Sequence, residues 1–525
     1  MRPSRSLHVT RTPAGGRGLA ALLTTLALVL AACGSDGGGR ADDPTTTTDG
    51  TAATTPADCI PAETGETAET TATTATTTTG ACADASTTTT TAAPADPTPE
   101  EIETMSDEEL AEEAYVAGYP VVVSIRTLQR LRGLGTNTLF WQTTLAGPES
   151  RVIVAPNRDT LYSIAVLDLR SEPLVLTLPE VTDRYYTYQL LSPWTDSFAY
   201  IGTRATGGRA GSWVIAPPGW EGEAPEGAEV IESPTNQVFL LGRFLVDDEA
   251  DVANVIAIRD RSSLQPLSAV TGAEPGPPLA PLAEAAGTAQ AIPTDAAFFD
   301  ELVPSLAANP PPTDAQRALF AALEERMADG EGDDARRAAL DAGAAAGADR
   351  IAAEVASRTE LVGGWSVNRD IGVYGDDVAL RAFVARIGWG ANVPEEAVYP
   401  VAQVDADGAP LDGSRDYTIT FPADRLPPLD DLGFWSLSAY GPDMFFAPHP
   451  SNRYTVGDRT PGLVRGEDGS LTIHLSHDEP SAADGGTANW LPVPAGRFVL
   501  MLRLYLPAEP ILDGTWTPPP AVPSP

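Results

Sequence analysis

The tripeptide Asn-Arg-Asp occurs twice, as Asn157-Arg158-Asp159 and as Asn368-Arg369-Asp370, and a tyrosine follows each copy, Tyr162 and Tyr374. A carboxylate, a guanidinium and a phenol can act together as base, charge stabiliser and acid, so these six residues are the candidate catalytic set of a hydrolase. Asn and Asp also bond their own backbone and fix turns, so either copy can equally be an Asx turn braced by an Arg–Asp pair. On the functional reading Arg158, Asp159 and Tyr162 lie at the mouth of a pocket with Arg369, Asp370 and Tyr374 facing them; if the copies mark a duplication, the two motifs occupy equivalent places in two related β-domains. A pair of carboxylates such as Asp159 and Asp370 suits glycoside hydrolysis only at a defined separation, which sequence does not give.

Other side chains offer binding chemistry. Trp365, Trp435 and Trp490 are candidate ligand-binding residues, because indole faces stack on sugar rings and apolar ligands, although a tryptophan is more often core. Histidines are few: beyond His8 there are His449, His474 and His477. His474 and His477 are weak candidate metal ligands, with Asp478 and Glu479 beside them, but an offset of three along a strand points them to opposite faces. No metal or other cofactor is expected. Nucleophile elbow, zinc-protease, phosphate-loop and dinucleotide motifs are absent at credible positions.

The elements that must position these residues follow from pattern. Ser106 and Glu109 form a capping box, and Leu110, Ala114 and Ala117 continue at helical spacing, which predicts a short helix ending by Tyr119, ahead of Pro120. Strands are predicted at 151–154, Tyr162–Leu169, Leu174–Leu178, Tyr185–Leu191, Trp213–Ile215 and Val238–Val246, separated by Pro- and Gly-rich turns. Phe298, Phe299, Leu302 and Leu306 are helically spaced, Thr313 and Gln316 form a second capping box, and Ala338 to Val355 reads as helix despite Gly343 and Gly347. Strands return at Tyr417–Phe421, Phe434–Tyr440, Leu471–His474 and Arg497–Leu506. The expected fold is mainly β: two jelly-roll-like β-sandwich domains joined by a helical connector, with a short N-terminal helical segment. The expected boundaries are 101–260 for the first β-domain, 261–360 for the connector and 361–525 for the second.

The run Pro156-Asn157-Arg158-Asp159-Thr160-Leu161-Tyr162-Ser163, with Leu167-Asp168-Leu169, Arg184-Tyr185-Tyr186, Gln189 and Gly202-Thr203-Arg204, resembles the bacterial domain-of-unknown-function family 1254. Asn489-Trp490-Leu491-Pro492, Phe498, Arg503-Leu504-Tyr505 and Gly514-Thr515-Trp516 resemble its usual companion, family 1214. The resemblance spans about 104–520 and implies two β-sandwich domains with helices between them, and no settled activity. Members of the first family often carry a histidine ahead of the Asn-x-Asp motif; here 136–142 holds Trp141 and Gln142 instead.

The ends and the charge place the molecule. Arg2, Arg5, Arg11 and Arg17 precede an apolar run from Leu19 to Ala32 that ends in Leu30-Ala31-Ala32-Cys33-Gly34. That run suits a signal-peptide core, and its end resembles a bacterial lipobox, so residues 1–33 are expected to be a lipoprotein signal with Cys33 lipidated, as by palmitate. Residues 34–100, rich in Thr and Ala, bury too little surface to fold and are expected to be a disordered tether reaching roughly 40 Å. Cys59 and Cys82 within it are expected to form a disulfide outside the cytoplasm. All 33 basic residues are Arg against 72 acidic ones, a net charge of −39. The absence of Lys points to a GC-rich, actinobacterial coding bias. The charge argues against nucleic acid and against electrostatic docking on anionic lipid, leaving the lipid anchor as the expected membrane contact. The expectation is a cell-envelope protein on the outer face of the membrane, binding an apolar or glycan-like small molecule through its β-domains. An extracytoplasmic hydrolase and a structural protein without a small ligand are the alternatives, and oligomeric state is left open.

Overall fold

The computed structural model describes residues 97–524 apart from 152–154, 280–290, 329–333, 359–360, 373 and 481–486. The signal run, the tether with Cys33, Cys59 and Cys82, and the strand expected at 151–154 lie outside the described residues or mostly so.

Two β-sandwiches and a helical layer make up the described chain. The first sandwich comprises β1 (Phe140–Trp141), β2 (Thr160–Asp168), β3 (Leu174–Leu178), β4 (Tyr186–Leu191), β5 (Ser197–Gly202), β6 (Gly211–Ala216), β7 (Glu229–Glu232), β8 (Gln237–Leu245) and β9 (Ser263–Pro266). One sheet runs β1-β2-β8-β4-β5 and the other β7-β6-β3-β9. Leu161, Ala165 and Leu167 of β2 and Leu240 and Phe244 of β8 meet Leu174, Leu176, Trp213 and Ile215 of the second sheet in a common core. The period of two along each strand puts Tyr162, Ile164 and Arg243 on the opposite face, away from that core.

The second sandwich is built alike from β10 (Leu361–Val362), β11 (Trp365–Ser366), β12 (Ala397–Val398), β13 (Val401–Ala402), β14 (Tyr417–Phe421), β15 (Leu429–Tyr440), β16 (Thr455–Gly457), β17 (Leu471–Ser476), β18 (Trp490–Pro492), β19 (Val499–Pro507) and β20 (Val522–Pro523). Its larger sheet runs β10-β11-β13-β19-β15-β16, with β12 also paired to β19, and its smaller one β18-β17-β14-β20. Leu437, Leu500, Leu502 and Leu504 point into its core against Ile419, Phe421 and Ile473. Ser436, Ser438, Arg503 and Tyr505 alternate onto the other face.

The longer helices among the described residues are α1 (Asp107–Leu131), α2 (Ala297–Leu306), α3 (Asp314–Ala328), α4 (Asp334–Ser357) and α5 (Val378–Ile387). They share one core through Tyr115, Val121, Phe298, Leu302, Leu319, Phe320 and Ile351. The connector therefore folds back on the N-terminal helix. α1 does not end at Tyr119: it runs on to Leu131 with Pro120 inside it. A proline within a helix costs about 3 kcal/mol. Burial of every residue from Ala114 to Ser124 among the other helices offsets that cost. The Ser106 capping box forms as expected, with Glu109 N–H donating to Ser106 Oγ at 3.2 Å.

Candidate functional site

The two sandwiches meet where the first Asn-Arg-Asp copy enters β2. Ala155, just before it, has a positive φ of 50°, a strained conformation for a residue with a Cβ. Asn157 Oδ1 accepts from the Asp159 N–H at 2.8 Å, an Asx turn. Asn157 Nδ2 donates to Tyr505 Oη of the second sandwich at 2.8 Å. Asp159 is 5 % exposed. One of its oxygens accepts from Ser436 Oγ on β15, and the other pairs with Arg459 at 3.1 Å. The turn thus ties one sandwich to the other.

A cleft of about 750 Å³ opens at this junction. Leu145, Arg158, Asp159, Val246, Asp247, Asp248, Glu249 and Ala250 line it from the first domain. Arg453, Thr455, Gly457, Arg459, Thr460, Pro461, Thr487 and Ala488 line it from the second. Arg158 donates to the Ala146 carbonyl at 2.6 Å and lies 3.5 Å from Glu249. Arg459 donates to the Val246 carbonyl at 3.0 Å and stands over the Phe434 ring at 4.5 Å. Next to it, burial pushes the Asp458 carboxyl up to about 6; Arg459 pulls against this and the Asp159 charge adds to it.

The second Asn-Arg-Asp copy forms the same Asx turn, with the Asp370 N–H donating to Asn368 Oδ1 at 2.9 Å. Its setting is different. Asp370 is exposed, and Arg369 donates to the Ile511 carbonyl at 2.7 Å. Tyr374 is buried beside Leu380 and Phe383, with Arg381 over its ring. Neither Asp370, Arg369 nor Tyr374 lines the cleft. The echo is therefore a shared turn and not a shared site, because an Asx turn is a local solution any strand entry can use.

The tryptophans are corrected likewise. Trp365, Trp435 and Trp490 are at most 4 % exposed and leave no face for a ligand. Trp365 and Trp435 belong to the core of the second sandwich, and Trp490 donates to the Ser476 carbonyl at 3.1 Å. His474 lies on β17, while His477 beyond it bonds the Val493 carbonyl through Nδ1 at 3.0 Å. Among the described residues no group of three His, Cys, Asp or Glu side chains is placed to hold a metal ion. Of the candidate catalytic residues in the sequence, Arg158 and Asp159 reach the cleft, and Tyr162 lies on the neighbouring inward face of β2.

Sequence reasoning passed over Arg243, Arg453, Arg459 and Ser436. Arg243 carried a readable signal: it is the one charge in the apolar run Val238–Val246, as Arg503 is in Val499–Pro507. Arg453 and Arg459 sit in a turn-rich stretch that no periodicity marks.

Residues 136–266 match the family model described as protein of unknown function (DUF1254), and residues 396–509 match that of DUF1214. No protein with a curated description matches the chain. The crystal structure of the VPA0106 protein from Vibrio parahaemolyticus is similar in fold, with a TM-score of 0.63 at 23% identity over 80% of this chain and all of that one. An uncharacterised protein from Burkholderia cenocepacia matches with a TM-score of 0.39 at 15% identity, over 81% of this chain and 91% of that one. The chain thus carries a match to the DUF1254 family followed in tandem by a match to the DUF1214 family.

Proposed function

We propose that this protein is a cell-envelope lipoprotein, anchored through Cys33, that binds a polar, glycan-like small molecule in the cleft between its two β-domains. The observation that carries the reading is the lining. Arg158, Arg453 and Arg459 supply donors, Asp247, Asp248 and Glu249 supply acceptors, and Thr455 and Thr460 supply both. Donors and acceptors from both domains around a cleft of about 750 Å³ suit a polyhydroxylated molecule, and no aromatic residue lines it to stack on an apolar ring. No helix among the described residues is long and apolar enough to cross a membrane, and the lipid is the proposed attachment.

A hydrolase remains the second reading, favoured by one observation. The Asp458 carboxyl, raised by burial to about 6, stands beside the buried Asp159–Arg459 pair, and a carboxyl raised towards neutrality beside a second carboxylate suits a general acid. Calorimetric titration with a panel of neutral and acidic cell-wall oligosaccharides tests both. Binding with the sugar recovered intact supports the carrier, turnover that disappears in Asp458→Asn supports the hydrolase, and silence from the whole panel contradicts both.

A further inference from the structure

Four arginines are buried among the described residues: Arg126, Arg243, Arg381 and Arg503. Arg126 pairs with Glu301 and Arg381 with Asp196, as buried guanidiniums ordinarily must. Arg243 and Arg503 do not follow that rule. Arg243 donates to Gln189 Oε1 at 3.0 Å, Asn392 Oδ1 at 2.9 Å and the Gly390 carbonyl at 2.8 Å. Arg503 donates to Ser438 Oγ at 3.0 Å, Tyr440 Oη at 2.7 Å and the Ala155 carbonyl at 2.8 Å. All six acceptors are neutral. They hold the guanidiniums in place without a paired carboxylate; Asp159 acts on Arg503 only from beyond ion-pair distance and is itself bonded to Arg459, and a buried charge without a close counter-charge is strongly disfavoured.

The surroundings supply a second, separate observation. Tyr162 pairs with Arg243 across β2 and β8, and its ring lies 5.8 Å from that guanidinium. It is only half-buried, and its hydroxyl has no hydrogen-bond partner among the described residues. Tyr399, also half-buried, accepts from Asn392 at 2.9 Å, and Tyr505 accepts from Asn157 at 2.8 Å, so each still has its own proton to donate. Tyr399 and Tyr505 lie within electrostatic reach of both arginines. Burial pushes the Tyr399 phenol up and the Tyr505 phenol well up, which keeps both as neutral donors. Two positive charges and three unspent hydroxyl donors thus stand together between the inward faces of the two sheets, in a chain whose net charge is −39.

We infer that this interdomain layer is an anion site, in which Arg243 and Arg503 take a carboxylate or phosphate group and the hydroxyls of Tyr162, Tyr399 and Tyr505 donate to its oxygens. Guanidinium forks match both oxyanions, and hydrogen bonds to a charged acceptor are about twice as strong as neutral ones. The site does not depend on what fills the cleft, whose lining includes none of these five residues.

The test is calorimetric titration of the full chain, at fixed ionic strength in chloride, with inorganic phosphate in one arm and succinate in the other. One saturable equivalent is expected in at least one arm, and the arm that binds tells a free phosphate from an organic carboxylate. Arg243→Gln and Arg503→Gln are expected to weaken it at least about tenfold, since each removes a charge-assisted contact. Tyr162→Phe removes a hydroxyl that bonds nothing among the described residues, so it should keep the melting temperature and still weaken binding several-fold. It therefore carries the test even if a Gln variant does not fold. No saturable heat in either arm, or equal affinity in wild type and Tyr162→Phe, overturns the inference.

Discussion

At Asp159 the two carboxylate oxygens bond different partners, Ser436 and Arg459, both from the second domain. Asp159→Ala therefore orphans the Ser436 hydroxyl and leaves Arg459 only the looser carboxylates of Asp247 and Asp458, at 3.6 and 3.8 Å, and is expected to cost about 1–3 kcal/mol in urea unfolding. Asp370→Ala removes an exposed carboxylate and is expected to stay within about 0.5 kcal/mol. Equal losses would contradict the different placements of the two motifs. Asp458 gives a pH signature. Its carboxyl is raised in the fold from 3.8 to about 6, so it holds its proton more tightly folded than unfolded. Its contribution is full below about pH 3.8 and is lost as pH rises through 6. Asp458→Asn should accordingly be more stable than wild type at pH 7 and lose that advantage by pH 4. With 34% of the side chain exposed, the gain is on the order of 1 kcal/mol after screening. Part of the site is legible at this scale, since the motif alone marks Arg158 and Asp159, while Arg453 and Arg459 across the cleft carry no such mark. Asp370 was singled out by the same motif and lies elsewhere, because a tripeptide encodes its turn but not what packs on it.

Among the elements, the strands were read most faithfully. Leu174–Leu178 and Tyr417–Phe421 have the predicted bounds, because each is an apolar, alternating run between turn residues. Edge strands such as Glu229–Glu232 and Ser263–Pro266 escaped, being short and polar. The extent of α1 escaped too, because the burial that tolerates Pro120 comes from helices some 180 residues further along. The two glycines within α4 find their reason in packing. A Cβ on Gly343 would sit 2.5 Å from the Glu108 carbonyl oxygen and 2.8 Å from the Glu112 nitrogen, both backbone atoms of α1. Gly343→Ala should force the helices apart and lower stability by about 1–3 kcal/mol despite alanine's better helix propensity. A neutral or higher melting temperature would show that α4 can slide on α1.

For the whole molecule, each sandwich keeps a core of its own, and the two meet across a mixed layer in which Tyr185 and Leu245 pack on Phe434, Tyr505 and Leu506 beside the polar contacts of Asn157 and Asp159, so the site forms only when both are present. That arrangement was legible in part: alternation predicted two-faced sheets, but which faces meet depends on contacts between residues about 300 positions apart. At the N-terminus, palmitate labelling of the wild type that vanishes in Cys33→Ala is expected if the chain is anchored as proposed; labelling that persists would remove the lipid from the account. The central claim is that a polar small molecule occupies the cleft between the domains. Its most direct test is native mass spectrometry of the purified full chain, with untargeted identification of whatever is released on denaturation. A polar adduct of a few hundred daltons is expected on the wild type, with much lower occupancy on a folded Arg453→Gln, Glu249→Gln double variant. A wild-type spectrum without adduct after exposure to cell-envelope extract, or equal occupancy in both proteins, would contradict it.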